Sequence, residues 1–198
     1  LYMTLLDWEK AFDKVDHDTL GYALERMGID QKIIATLRDG YDKATFFVED
    51  DFGKSENKTQ KSGIRQGCPL SPYLFVMVMT CIEWDVLAEL STEAKEQRLE
   101  NMDYDMVFYA DDTIVFSKTI KGIEEILGHV KNISGDYGLR LNKGKCVNMN
   151  MHVEGQQKLG TKPEDHQMEG VESAMYLGNR LNKKASIREE ITYQMQQV

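Results

Sequence analysis

The run Val107-Phe108-Tyr109-Ala110-Asp111-Asp112-Thr113-Ile114-Val115-Phe116 sets two adjacent acids between two stretches of β-branched and aromatic residues. Each stretch reads as a short buried strand, and the acids fall where a tight hairpin turn belongs. Neighbouring carboxylates repel, and burial raises their pKa. A hard divalent cation is the usual compensator, with substrate phosphates and water as its other ligands. The alternative is an ordinary Asp-rich turn. A third acid in similar surroundings favours the first reading: Leu1-Tyr2-Met3-Thr4-Leu5-Leu6-Asp7 is another apolar run ending in a carboxylate. If the two strands are neighbours in one sheet, Asp7, Asp111 and Asp112 converge on a metal pair. Two such ions, about 4 Å apart, clamp the attacking and leaving oxygens of an in-line phosphoryl displacement.

The elements that must position these acids follow in chain order. Residues 17–28 carry apolar side chains at helical spacing, with Asp16 or Asp18 as the cap and Gly28 as the stop. Asp30 caps a second helix over residues 31–38. Both read as cover for the sheet. Residues 44–49 and 58–62 read as two strands around a polar turn, with Lys54, Lys58 and Lys61 on it. Residues 63–72 form a loop in which Gly63 and Gly67 permit close backbone approach and Pro72 suits the first turn of a helix. Residues 73–84 are apolar all round and predict a buried central helix whose methionines are core filler. Residues 122–133 form an amphipathic helix with Ile123, Ile126, Leu127, Val130 and Ile133 on one face; His129 lies off that face and reads as exposed. Gly138 ends it in a left-handed cap. Residues 139–141 and 146–149 read as short strands, residues 151–167 as a loop, residues 175–178 as a returning strand and residues 186–198 as the start of a helix capped by Ser186.

The spacing of these blocks resembles a known family. Leu6-Asp7-Trp8-Glu9-Lys10-Ala11-Phe12-Asp13-Lys14-Val15-Asp16-His17 is similar to the first palm motif of reverse transcriptases, in the variant of non-LTR (LINE-type) retrotransposons and group II introns. Ser62-Gly63-Ile64-Arg65-Gln66-Gly67-Cys68-Pro69-Leu70-Ser71-Pro72 resembles the second motif and Tyr109-Ala110-Asp111-Asp112 the third. Gly138-Leu139-Arg140-Leu141-Asn142-Lys143-Gly144-Lys145-Cys146 resembles the fourth, and Met175-Tyr176-Leu177-Gly178 the fifth. The five blocks stand in family order across nearly the whole chain.

The resemblance implies an α+β fold: a polymerase palm with a ferredoxin-like antiparallel sheet backed by helices. It implies one domain over residues 1–198, with the fingers, which precede the first motif, and most of the thumb outside it. The implied activity is RNA-directed DNA polymerisation with an RNA template, a DNA primer and deoxynucleotide triphosphates. Two Mg2+ ions, or Mn2+ in their place, would be held by the catalytic residues Asp7, Asp111 and Asp112. The backbone from Trp8 to Ala11 would cradle the triphosphate. Phe12 would lie under the sugar and exclude a 2′-hydroxyl, in addition to any role as a core aromatic. Gln66 would lie against the incoming nucleotide, Tyr109 would back the primer terminus, and Tyr176-Leu177-Gly178 would form part of the primer grip. Lys145 would neutralise the leaving pyrophosphate, with Lys143 as its rival.

Composition bears on partners. Lys and Arg number 24 against 33 Asp and Glu, a net charge of −9. A free-standing nucleic-acid binder is usually basic. The excess acid is concentrated between Glu83 and Asp105, whereas the stretch from Lys118 to Lys145 is net basic. The overall charge keeps a second reading open, a retroelement-derived palm serving as a non-catalytic structural or interaction subunit of a protein assembly. Cys68, Cys81 and Cys146 are widely spaced, odd in number and without zinc spacing, so a reducing intracellular compartment (nucleus, cytoplasm or organelle) is expected. No apolar run appears long enough to span a membrane. Leu1 is not a natural start, so an upstream targeting segment has room to exist.

Overall fold

The computed structural model describes residues 1–97, 106–151, 168, 170–184, 193 and 195. The chain opens with β1 (Tyr2–Leu6), a short α1 (Ala11–Lys14), α2 (His17–Arg26) and α3 (Gln31–Asp42). Four two-residue strands follow: β2 (Thr45–Phe46), β3 (Glu49–Asp50), β4 (Gly53–Lys54) and β5 (Lys58–Thr59). Then come α4 (Ser71–Glu89), α5 (Thr92–Glu96), β6 (Met106–Tyr109), β7 (Asp112–Ser117), α6 (Ile120–Asp136) and β8 (Val147–Asn150). A hairpin of β9 (Ser173–Tyr176) and β10 (Asn179–Asn182) completes the described elements.

The central sheet has four strands in the order β6-β7-β1-β8, all neighbours antiparallel. With helices between β1 and β6 and between β7 and β8, this is the strand order of a βαββαβ ferredoxin-like unit. It agrees with the α+β palm expected from the motifs. Strand alternation divides the sheet's residues between two faces. Tyr2, Leu6, Val115 and Met106 face the helices and join the main core with Val78, Met79, Ile82, Ile123, Leu127 and Val130. Met3, Leu5, Ile114 and Met149 face the other way, under Ala174, Tyr176 and Leu181 of the β9–β10 hairpin.

The helix caps follow local chemistry. Asp16 accepts from the amides of Asp18 and Thr19, Asp30 from Lys32, and Thr119 from Gly122. Each carboxylate or hydroxyl satisfies an amide that has no partner within its own helix. Asp16, not Asp18, is therefore the cap of α2.

Several expectations need correction. Helix α4 is buried on one side only: Leu74, Phe75, Val78, Met79 and Ile82 are in the core, but Tyr73, Val76 and Trp84 are exposed. It packs against α2 and α6 and leaves its outer face to solvent, so an all-round apolar sequence here does not mean all-round burial. The same helix, at 19 residues, is long and apolar enough to cross a membrane by length and composition; the membrane expectation is amended to that extent, and here its buried residues fill the core between the sheet and its helices. The strands over residues 44–49 and 58–62 shrink to β2 pairing β5, with a separate β3–β4 turn between them. Of residues 139–141, only Leu141 pairs, in an isolated bridge to Trp8. His129 is half-buried, not exposed. Strand β9 ends at Tyr176, and Leu177-Gly178 form the turn. Residues 152–167, and all of 186–198 except Tyr193 and Met195, lie outside the described residues.

Candidate active site

Leu6 pairs with Thr113 at the end of the β1–β7 ladder, so the next step along the two strands sets Asp7 opposite Asp112. Opposed residues of an antiparallel pair stand about 4.5–5.5 Å apart at Cα. Tyr109 pairs with Asp112, which leaves Ala110-Asp111 as the two-residue loop of the β6–β7 hairpin. Ala110 has φ +53°, and a positive φ at the first loop residue is what a type II′ turn requires. Glycine usually meets that demand, and alanine there carries strain on the order of 1–2 kcal/mol. The two flanking ladders hold the strained turn in place.

Three carboxylates thus stand at one end of the sheet, and their charges act on one another. Burial pushes the Asp112 carboxyl above the usual Asp range, and the charges of Asp111 and Asp7 push it further. Asp7 also faces a cation: its Oδ2 lies 3.8 Å from Nζ of Lys145. Among the described residues no group of three acid, histidine or cysteine side chains is drawn close enough to hold a metal ion. The donor chemistry nevertheless fits a divalent cation: three hard oxygen donors on two adjacent strand ends, with an excess of negative charge at Asp112.

The strand end carrying Asp7 is fixed from behind. Its carbonyl accepts from the Asn142 amide at 2.8 Å, and its amide donates to Sγ of Cys146 at 3.4 Å. Burial raises the Cys146 thiol pKa, so this sulfur stays a neutral backing group. Trp8 turns its side chain into the core, where Nε1 donates to Oγ1 of Thr113 at 2.9 Å. The Glu9 amide is taken by the Arg140 carbonyl at 2.8 Å. Trp8 thus pins this end of β1 to the core, and α1 begins three residues further on, at Ala11. Lys10 has φ +50°, a second strained non-glycine residue at a motif.

The loop of the second motif is strapped onto the first. Gly63 donates from its amide to Val15 O at 2.7 Å, Ile64 to Phe12 O at 2.7 Å, and Gly63 O lies 2.8 Å from Nε2 of His17. Phe12 stacks on Phe75 of α4 with ring centroids 4.8 Å apart, so it is a core aromatic, half-buried against the main cluster. Gln66 is exposed and donates from Nε2 to Oδ1 of Asp13 at 3.0 Å. Motif matching singled out Gln66 but not Asp13, its partner. Asp13 lies in the first motif, yet nothing in the linear sequence says that it meets a loop 53 residues away. Cys146 is another residue that the motifs contained without disclosing its contact.

Of the predicted site residues, Asp7, Asp111, Asp112 and Lys145 are gathered at one end of the sheet. Phe12 and Gln66 stand together on the α1 side. Lys143 lines a separate cleft of about 530 Å3 with Glu9, Lys131 and Arg140.

Comparisons with known proteins bear on the family and the fold. The chain is 27% identical over 157 residues to a Pol polyprotein of the type-2 retrotransposable element R2DM of Drosophila melanogaster, covering 79% of the chain and 14% of the polyprotein. It is 28% identical over 152 residues to that of an R2 element of Popillia japonica, covering 76% of the chain and 21% of the relative. The chain therefore spans about a fifth or less of these relatives. Among solved structures, apo telomerase from Candida tropicalis, truncated from its C-terminal domain, superposes with a TM-score of 0.64 at 19% identity, over 91% of this chain and 34% of that one. Telomerase from the same yeast in complex with a fragment of telomeric RNA gives 0.66 at 16% identity, over 92% and 28%. These two likenesses concern the fold. The family model described as reverse transcriptase (RNA-dependent DNA polymerase) matches residues 1–181, and the chain belongs to that family.

Proposed function

We propose that residues 1–198 are the palm of an RNA-directed DNA polymerase of a non-LTR retroelement, with most of the fingers and thumb contributed from outside this stretch. Its substrates are an RNA template, a DNA primer and deoxynucleotide triphosphates. The observation that carries the reading is the juxtaposition of Asp7 and Asp112 across β1 and β7, with Asp111 on a strained turn beside them.

The reaction joins the primer 3′-oxygen to the α-phosphorus of the incoming nucleotide and breaks the bond to pyrophosphate. Asp7, Asp111 and Asp112 would hold two divalent cations, Mg2+ or Mn2+, which supply charge neutralisation at the attacking and leaving oxygens. The remaining work is positioning. Phe12, braced on Phe75, carries the sugar. The Lys10 and Ala11 amides meet the triphosphate, and Gln66, steadied by Asp13, lies against the nucleotide. Lys145 sits where its ammonium neutralises negative charge as pyrophosphate departs. Tyr109, exposed at the end of β6, backs the primer terminus.

The net charge of −9 is what the rival reading, a non-catalytic subunit, rests on; no contact at the site favours it. Primer extension on an RNA template tests the proposal. In the full-length enzyme, incorporation of deoxynucleotides is expected in the presence of Mg2+, and Asp111→Asn is expected to abolish it without lowering thermal stability. Near-normal extension by Asp111→Asn overturns the assignment.

A further inference from the structure

Tyr176 presents an unusual hydroxyl. Its oxygen is buried and, among the described residues, meets no hydrogen-bond partner. An unpaired buried hydroxyl is destabilising, and a phenylalanine of the same shape would avoid that cost. The ring is well anchored. Tyr176 packs on the cluster of Met3, Leu5, Ile114 and Met149, on the sheet face away from the helices. By strand alternation Asp112 and Ile114 project from that same face. Tyr176 also closes the β9–β10 hairpin opposite Asn179. The two loop residues, Leu177 and Gly178, have φ +49° and +77°, as a type I′ turn requires. Leucine in that conformation is strained, and the strain is spent on holding the end of β9 where it is.

On that face Asp112 opens β7, two residues before Ile114, with its side chain at the surface. We propose that Tyr176 is a positioning residue for Asp112: its hydroxyl donates to that carboxylate, directly or through one water, and orients it for the cation that the proposed function requires. The inference rests on that reading for its purpose but not for the contact itself. A hydrogen bond to a charged group is worth about 1.5–3 kcal/mol, and Tyr176→Phe deletes it while keeping the ring and the packing.

Two measurements on the whole chain test the inference. The first is a double-mutant cycle in thermal stability, with Tyr176→Phe, Asp112→Ala and the pair, in the absence of divalent cations. Coupling between the two positions makes the shifts in Tm non-additive; additive shifts overturn the contact. The second is a Mn2+ titration followed by electron paramagnetic resonance. Tyr176→Phe is expected to weaken binding about tenfold or more, whereas a ring that only packs leaves it within twofold, which overturns the positioning role. If wild type takes up no Mn2+ while the stability cycle still shows coupling, the metal reading of the site fails and the Tyr176–Asp112 contact stands.

Discussion

Substituting alanine for Gly63 should separate the two motif blocks that build the nucleotide side of the site. Gly63 has φ +92°, and a Cβ built on it would lie 2.9 Å from both Cα and O of Asp13. Backbone atoms cannot swing aside, so the loop or α1 must move. The conformational part costs about 1–2 kcal/mol, and the overlap about 1–3 kcal/mol by comparison with overpacked sites. Movement also strains the bonds from Gly63 N to Val15 O and from Ile64 N to Phe12 O, each 2.7 Å. A total of about 3 kcal/mol lowers Tm by roughly 6–12 °C in a domain of this size. Gly28→Ala is the control. Its φ is +74° but nothing lies within 4 Å of the added Cβ, so it carries the conformational cost alone, about 2–4 °C for each 1 kcal/mol. Thermal unfolding followed by circular dichroism measures both. Equal losses of Tm in the two variants refute the close approach at Gly63 and, with it, the strapping of the second motif onto the first. In primer extension, Gly63→Ala should raise the KM for nucleotide while Gly28→Ala leaves it unchanged, because only the first displaces Gln66 from Asp13.

Three other outcomes are expected. The Tyr137 hydroxyl donates to Oδ2 of Asp85 at 2.7 Å and accepts from Nη1 of Arg26 at 3.0 Å, and burial followed by the Asp85 bond pushes the Tyr137 pKa up. A folded value above the unfolded one of about 10 gives stability that is complete below that pH and drains away as pH rises past it. Tyr137→Phe should therefore lower Tm at pH 7, by roughly 2–8 °C for the loss of a bond worth about 1–2 kcal/mol, and should flatten the alkaline decline between pH 9 and 11. Asp112 also has a raised folded pKa, so its protonated form is favoured by folding and stability falls as pH climbs from about 4 through the raised value. Asp112→Asn should abolish that fall and, at pH 7 without divalent cation, match or exceed wild type in Tm; a lower Tm would contradict the crowding of charge at the site. Trp8→Phe removes the donor to buried Thr113 and should cost about 1–2 kcal/mol, read as a Tm lower by about 2–8 °C with the nucleotide KM unchanged.

What the linear sequence determined is considerable. The apolar runs before Asp7 and around Asp111-Asp112 announce strands, because alternation and β-branching are local properties. The caps at Asp16 and Asp30 follow from short-range bonds between a side chain and an amide two or three residues on. The five ordered motifs were enough to reach the family, and with it the α+β palm. Only the tertiary structure decided which strands are neighbours, and that pairing is what sets Asp7 against Asp112 over more than a hundred residues of chain. It also decided that Trp8 faces the core, that Gln66 is held by Asp13, and that Cys146 backs Asp7. Each of these depends on the direction in which a side chain leaves a folded backbone, and motif spacing carries no such direction. Helix α4 shows the converse limit: its composition is apolar on every side, and burial was settled by which neighbours it has. Tyr176 is a tyrosine at the end of a short strand until the sheet places it on the same face as Asp112, and the significance of its hydroxyl arises from that juxtaposition.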